Sequence, residues 1–461
     1  MKAIHDPGHA LDAGLAAIRD QFQLPAAFPP AVEAAAEAAT RRTPTEHADR
    51  TDRPFVTLDP ASSRDLDQAF ALEVAGSDIL LHYAIADVGW FVRDGDPLDV
   101  EAWNRGASIY LPGAKVPLYP TVLSEGAASL LPDDDRPAII FTVRIDPNGE
   151  PTLDGVERAL VRSRAKLGYA TVTPEDLPPG FAELSRRVAA ADRARGAARI
   201  DPPQQLVEHC DDGGYALGFR PMSPIEQDNA SLSLSCNLAV AKMLMSNRTG
   251  LFRVMPEPGK RAIKRLRHAA KALGVDWPAN MDLPEIERQL DPNVKANAAF
   301  MLAARRAGER ATYEPFTDDH TPWHSAVAAT YAHATAPLRR LADRYVCLAA
   351  LAVANGKPVP DAVTAAFPKL PKVMDKADSK AGQVDSAVVE LAEAVVLDGR
   401  EGTTYAAHVI EIDPRGAKLQ ICDEPVITRL PADTLDAGDV VNLRLTEVSP
   451  ARRLTRFERA A

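Results

Sequence analysis

The chain has 461 residues, 46% hydrophobic and 25% charged, which is ordinary for a globular protein and excludes wholesale disorder. A formal charge of -11 speaks against nonspecific adhesion to nucleic acid, but it leaves room for a local basic cleft. The amino terminus lacks a signal-peptide core, and no stretch approaches the roughly 20 apolar residues that cross a bilayer, so the expected location is the cytoplasm. Cys210, Cys236, Cys347 and Cys422 are scattered without a CxxC pair, which argues against a zinc knuckle or a disulfide framework.

Residues 1–50 carry two amphipathic helical patterns, around Leu11, Leu15 and Ile18 and around Val32, Ala36 and Ala39, separated by prolines. From residue 55 the pattern changes to short strands at 55–58, 69–74, 79–86 and 138–145. Helical periodicity dominates residues 150–400, notably at 181–194, 231–245, 260–273, 293–307 and 326–354. The last sixty residues alternate again, with strands at 403–412, 417–421, 426–430, 440–448 and 453–458 and a turn from Asp413 through Pro414 to Gly416. Five short, evenly spaced strands suggest an OB-type barrel. The expected architecture is α+β: a small helical amino-terminal region (1–50), a large mixed-sheet body with many helices (51–399), and an OB-type β-barrel (400–461), of a kind that often binds single-stranded nucleic acid. Two basic runs, Lys260 to Lys271 and Arg452 to Arg459, are candidate phosphate-tracking surfaces.

The most informative string runs from Thr57 to Phe70, with Asp59, Asp65 and Asp67 within nine residues. Asp65 and Asp67, two apart, point to one face in extended chain, and their repulsion calls for a cation. A hard divalent ion suits oxygen ligands and substrate phosphates, and two such ions about 4 Å apart can stabilise both the attacking and the leaving oxygen of a phosphodiester. Composition and spacing alone reach a metal-assisted phosphodiesterase.

The same string resembles the T-[IL]-D-x5-D-x-D-D-A signature of the RNase II and RNase R exoribonucleases. The similarity continues through His82 to Val88, Arg105 to Gly113, Val116 to Pro120, Leu251 to Val254, and Tyr331 to Arg340 with Asp343 beyond. The resemblance implies a hydrolytic 3′-to-5′ exoribonuclease that uses magnesium, with manganese as an alternative, degrades single-stranded RNA to nucleoside 5′-monophosphates, and works as a monomer. It assigns Asp59, Asp65, Asp67 and Gln68 to the metal, and Asp67 and Arg339 to catalysis. RNA contacts fall to Tyr110, Asn237, His333, Thr335, Arg339 and Arg340. Gln68 stands where the family pattern has a fourth Asp, and Leu341 replaces a tyrosine. The segment before residue 50 is too short for the two cold-shock-type barrels that commonly precede this domain. The competing reading is a catalytically weakened RNA-binding or regulatory protein on the same fold, with Gln68 as its mark.

Overall fold

Six strands make the central sheet, in the spatial order Ala48–Asp49, Pro151–Gly168, Phe55–Asp59, Gln68–Ala75, Asp78–Ala86 and Asp135–Ile145. The last strand also pairs with Pro151–Gly168, so the sheet closes on itself. The 18-residue strand Pro151–Gly168 makes this closure possible, because it is long enough to serve two partners. Residues 151–162 lie antiparallel to Asp135–Ile145, and residues 163–168 run parallel to Phe55–Asp59. The computed structural model describes residues 1–197, 204–210, 213–291, 294–308, 310–413, 415–432, 435–436 and 438–460.

The sheet's interior is filled by Phe55, Phe70, Tyr83 and Phe141, all essentially without solvent contact. Helix Pro224–Ser246 packs against it and is enclosed by protein through its middle, burying Leu232, Cys236, Val240 and Leu244 together with Ser231, Ser235 and Asn237. Its start is fixed by a reciprocal cap. Ser223 N–H donates to Glu226 Oε2 at 2.7 Å, and Glu226 N–H donates to Ser223 Oγ at 3.4 Å. Helix Leu341–Ala354 buries Leu341, Tyr345 and Val346 in the same core.

Helices Ala10–Gln21 and Pro30–Thr40 form where the apolar spacing predicts them. The first lies on the 28-residue helix Leu370–Leu397, with Leu11, Leu15 and Ile18 against Val384, Leu391 and Val395. Gly14 permits the close approach, since a Cβ there would come within 2.5 Å of the Leu391 side chain. The carboxy-terminal strands are antiparallel, in the order Ile427–Leu430, Gly416–Ile421, Thr404–Asp413, Val440–Ser449, Leu454–Arg459. The two edge strands approach each other and nearly close the barrel. The fold is α+β, as the pattern of elements predicts.

Two expectations for residues 150–400 need correction. Residues 151–168 are a strand, and Gln204–His209 with Tyr215–Arg220 form a hairpin to which Lys2–Ala3 adds a third strand. The helix expected over 326–354 begins only at Leu341, because the segment around Pro337 gives its backbone hydrogen bonds to side chains instead. Helix Lys295–Ala307 occupies most of 293–307, while Asn293 and Pro414 lie outside the described residues. Among the described residues no helix is long and apolar enough to cross a membrane.

Candidate active site

Strand Phe55–Asp59 ends at Asp59, and strand Gln68–Ala75 begins one residue after Asp67. The connecting segment is pinned by side chains from elsewhere. Leu66 N–H donates to Ser129 Oγ at 2.9 Å, Ser129 Oγ donates to the Arg64 carbonyl at 2.6 Å, and Lys166 Nζ donates to the carbonyls of Ala61 and Ser63 at 2.6 and 2.5 Å. Leu66 is fully buried in the core, which leaves Asp65 and Asp67 on the other side of the chain.

Asp67 is 3% exposed. Its Oδ1 accepts the Leu338 N–H at 2.7 Å, and its Oδ2 lies 3.3 Å from Arg339 Nε. Burial pushes its carboxyl up to about 7, against the opposing pull of Arg339 and the Leu338 N–H. Asp59 has neither a hydrogen bond nor an ion pair to its carboxylate among the described residues. Burial, aided by the negative charge of Asp65, raises it to about 6, while Arg339 and Lys166 oppose the rise. Asp65 is differently placed: its Oδ2 accepts from Tyr110 Oη at 3.2 Å and pairs with Lys115 Nζ at 3.1 Å. The Gln68 side-chain amide donates to the Thr335 carbonyl.

Arg339 sits within electrostatic reach of Asp59, Asp67 and Tyr110. Arg339 and Tyr110 are the exposed members of the cluster, with the Arg339 side chain at 42% and Tyr110 at 47%. The other expected RNA contacts face protein. Asn237, 2% exposed, accepts the Ala334 N–H at 2.9 Å and donates to Tyr331 Oη at 3.0 Å. Thr335 is buried beside it. His333 Nδ1 lies 2.8 Å from Tyr313 Oη, and burial together with Arg340 and Arg253 keeps its imidazole neutral. Arg340 forms a two-bond pair with Asp343 at 2.9 and 2.7 Å. The structure therefore brings Asp59, Asp65, Asp67, Gln68, Tyr110 and Arg339 together, and sets Asn237, His333, Thr335 and Arg340 behind them as support.

Asp87 of the His82–Val88 motif also supports the fold: it is buried between His47 at 3.1 Å and Arg158 at 2.8 Å and caps the turn at Trp90. Sequence reading passed over Lys115, Glu125 and Lys166. The hairpin turn at Pro112 and Gly113 sets Lys115 directly opposite Tyr110, a register that shows only in the fold. Of the basic runs, helix Lys260–Ala272 leaves Lys260, Arg261, Lys264, Arg265 and Lys271 exposed, whereas Arg267 binds the carbonyls around Trp277. Arg452 and Arg456 both pair with Glu447.

Among the described residues no three of His, Cys, Asp or Glu are arranged together as a ready metal cage. The donor chemistry still suits a hard divalent ion. Among the described residues the Asp59 carboxylate has no hydrogen-bond or ion-pair partner, and burial raises the proton affinity of Asp59 and Asp67, so a cation bound there would offset the cost of burying their charge.

Comparison with known proteins identifies the family and the fold. The RNB domain profile matches residues 47–178 and 179–353, and the profile of the RNase II-type exonuclease C-terminal S1 domain matches residues 403–460. Ribonuclease R of Escherichia coli (strain K12) is 30% identical over 355 residues, covering 70% of this chain and 42% of that protein. Ribonuclease R of Thermotoga maritima is 25% identical over 417 residues, covering 84% of this chain and 58% of that protein. The chain thus spans about half the length of these relatives. The apo form of Mycoplasma genitalium RNase R shares the fold with a TM-score of 0.84 at 19% identity, over 97% of this chain and 78% of that one. Yeast Ssd1, described as a pseudonuclease, superposes with a TM-score of 0.68 at 16% identity, over 96% and 59%. With the RNB profile matching well over half of its length, this chain belongs to the RNB-domain family.

Proposed function

We propose that the chain is a hydrolytic 3′-to-5′ exoribonuclease that depends on magnesium, with manganese as an alternative, and releases nucleoside 5′-monophosphates from single-stranded RNA. The observation that carries this reading is the convergence of Asp59 and Asp67 on Arg339, with Asp65 and the exposed Tyr110 beside them. Asp59 and Asp67 are the residues that would hold the ion, with Asp65 and Gln68 beside them. When bound, a divalent cation supplies charge stabilisation and an activated water. Arg339 offers a permanently charged planar fork to the non-bridging oxygens of the scissile phosphate, where charge develops in the transition state. Asp67 fixes that fork through Oδ2 while Oδ1 holds Leu338, so the arginine is set before substrate arrives. Tyr110 gives the terminal base or sugar an aromatic face. In hydrolysis the water oxygen bonds to phosphorus, the 3′-oxygen of the preceding nucleotide leaves, and the water's protons are shared between that oxygen and solvent.

Incubation of 5′-labelled single-stranded RNA with magnesium or EDTA tests the reading. A metal-dependent ladder shortening from the 3′ end is expected. Intact but bound RNA would favour a non-catalytic RNA-binding protein, a reading supported by the neutral Gln68 and its amide bond to Thr335.

A further inference from the structure

The hairpin Ile109–Leu111 and Ala114–Val116 sets Tyr110 and Lys115 directly across from each other, side by side on one face. Both side chains reach Asp65 Oδ2, the phenol at 3.2 Å and the ammonium at 3.1 Å. Lys115 is not a loose surface lysine folded onto the nearest acid. Its side chain is 17% exposed, and its shorter contact, 2.6 Å, goes to Glu125 Oε1. Glu125 lies in the tight turn Leu123–Ala127, which Ser124 anchors through the Tyr119 and Pro120 carbonyls at 3.1 and 3.3 Å. The ammonium is thus held from behind, independently of Asp65.

Two divalent cations a few ångströms apart repel strongly and need several carboxylates between them. Of the four positions here that could supply them, Gln68 carries no charge and donates to Thr335, and Asp65 already carries a cation and a hydrogen-bond donor. Asp59, with no hydrogen-bond or ion-pair partner among the described residues, remains, and so does Asp67, which accepts the Leu338 N–H but whose cation, Arg339, is 42% exposed and stands 3.3 Å away, within electrostatic reach of Asp59 as well. We propose that Lys115 stands in for a second divalent ion: steadied by Glu125, it neutralises Asp65, and the centre takes one divalent cation at Asp59 and Asp67. Lys115 is then a positioning residue that keeps Asp65 beside Tyr110 and away from metal. The inference rests on the proposed function in taking this cluster as the hydrolytic centre.

Manganese binding to the full chain, followed by the electron paramagnetic resonance signal of the free ion, tests it directly. One manganese per chain is expected for the parent and for Lys115→Arg, which keeps the charge. Lys115→Met frees Asp65 and should bind a second ion. Two ions on the parent overturn the proposal without any variant, so it stays open to refutation even where Lys115→Met fails to fold. A folded Lys115→Met that still binds one ion, with unchanged affinity, overturns it as well. The labelled-RNA assay on the same samples separates the two readings. RNA shortening by a parent that binds two ions refutes the role of Lys115 alone. One ion per chain with RNA left intact refutes the exoribonuclease reading and upholds the metal count.

Discussion

Replacing Asp67 with Asn keeps the shape of the side chain and removes its charge, and the structure gives opposite expectations for stability and for turnover. In Asp67→Asn the amide oxygen of the new side chain retains the bond from the Leu338 N–H, which is 2.7 Å to Oδ1 in the parent. In the parent, burial raises the carboxyl from 3.8 to about 7, so the folded state binds a proton more tightly than the unfolded state. The stability contributed by that proton is present below about pH 4 and is lost as pH rises through 7. A shift of about 3 units is worth about 4 kcal/mol as an upper bound. The attraction to Arg339 is already contained in that shift, and relaxation and water entry around the buried carboxylate reduce the penalty to about 1–3 kcal/mol. Asp67→Asn should therefore be more stable than the parent above pH 7 by about 1–3 kcal/mol. For a chain of this length unfolding as one unit, at roughly 2 cal/mol/K per residue, that is about 1–3 °C. The advantage should shrink steadily as pH falls from 7 and vanish only below about pH 4, where the carboxyl is protonated in the folded and the unfolded state alike.

Turnover should move the other way, falling by orders of magnitude with RNA binding retained, since the lost charge holds both cation and arginine. Thermal melts of the metal-free protein between pH 5 and pH 8, together with the labelled-RNA assay, measure both effects. A melting difference that stays flat across that range would show that the buried charge is not costly. Near-normal turnover would remove Asp67 from the active site.

Protons and metal compete for Asp59 and Asp67, so the magnesium concentration at half-maximal activity should fall as pH rises from about 5.5 to 7.5, by up to about tenfold per unit for each proton displaced; a flat profile counts against these carboxylates as ligands. Gln68→Asp should tighten magnesium binding by about 1–3 kcal/mol. It also strips the Thr335 carbonyl of its donor, so the metal-free variant should melt lower than the parent, and added magnesium should recover more of the loss than it adds to the parent; unchanged half-saturation and unchanged stabilisation would place residue 68 outside the ion's reach. RNA should be shortened while DNA of matching sequence is at most bound, because the 2′-hydroxyl is the group that distinguishes the two polymers; equal cleavage in a side-by-side time course would contradict the substrate assignment.

The legible parts of the site are those where periodicity and local chemistry agree. Asp65 and Asp67 share a side because Leu66 between them belongs to the core, a period of two visible in the string itself. The carboxy-terminal strands are visible for the same reason, with Val441, Leu443 and Leu445 buried in alternation. Strand Pro151–Gly168 was not legible. Its charged residues mix with Val156, Ala159 and Val161 in a way that also suits a helix face, and its state is decided by two strands far away in sequence. Nor does local pattern show that residues before Leu341 leave the helix, since the partners that hold them come from elsewhere in the chain. The Lys115–Glu125 pair was missed because an isolated lysine and glutamate carry no signal until the hairpin register and the turn bring them to Asp65.

The segment from Tyr331 to Arg340 has little regular structure of its own, yet it is mostly buried, so its backbone groups must find partners. Among those partners Asn237, Asp67 and Gln68 are candidate site residues. Asn237 takes the Ala334 N–H at 2.9 Å, Asp343 the Ala336 N–H at 2.8 Å and Asp67 the Leu338 N–H at 2.7 Å, while Gln68 donates to the Thr335 carbonyl. Asp67 therefore has two separable jobs, one done by an oxygen that accepts from backbone and the other by a negative charge. An alanine at this position removes both, and an asparagine only the second. With Ala the Leu338 N–H is buried without an acceptor, at a cost of about 1–3 kcal/mol, and the cavity adds to it. The metal-free Asp67→Ala variant should thus melt below Asp67→Asn at every pH from 5 to 8, although both lose turnover alike. Identical melting of the two would mean that the Leu338 bond contributes nothing to the fold, and that Asp67 is retained for its charge alone.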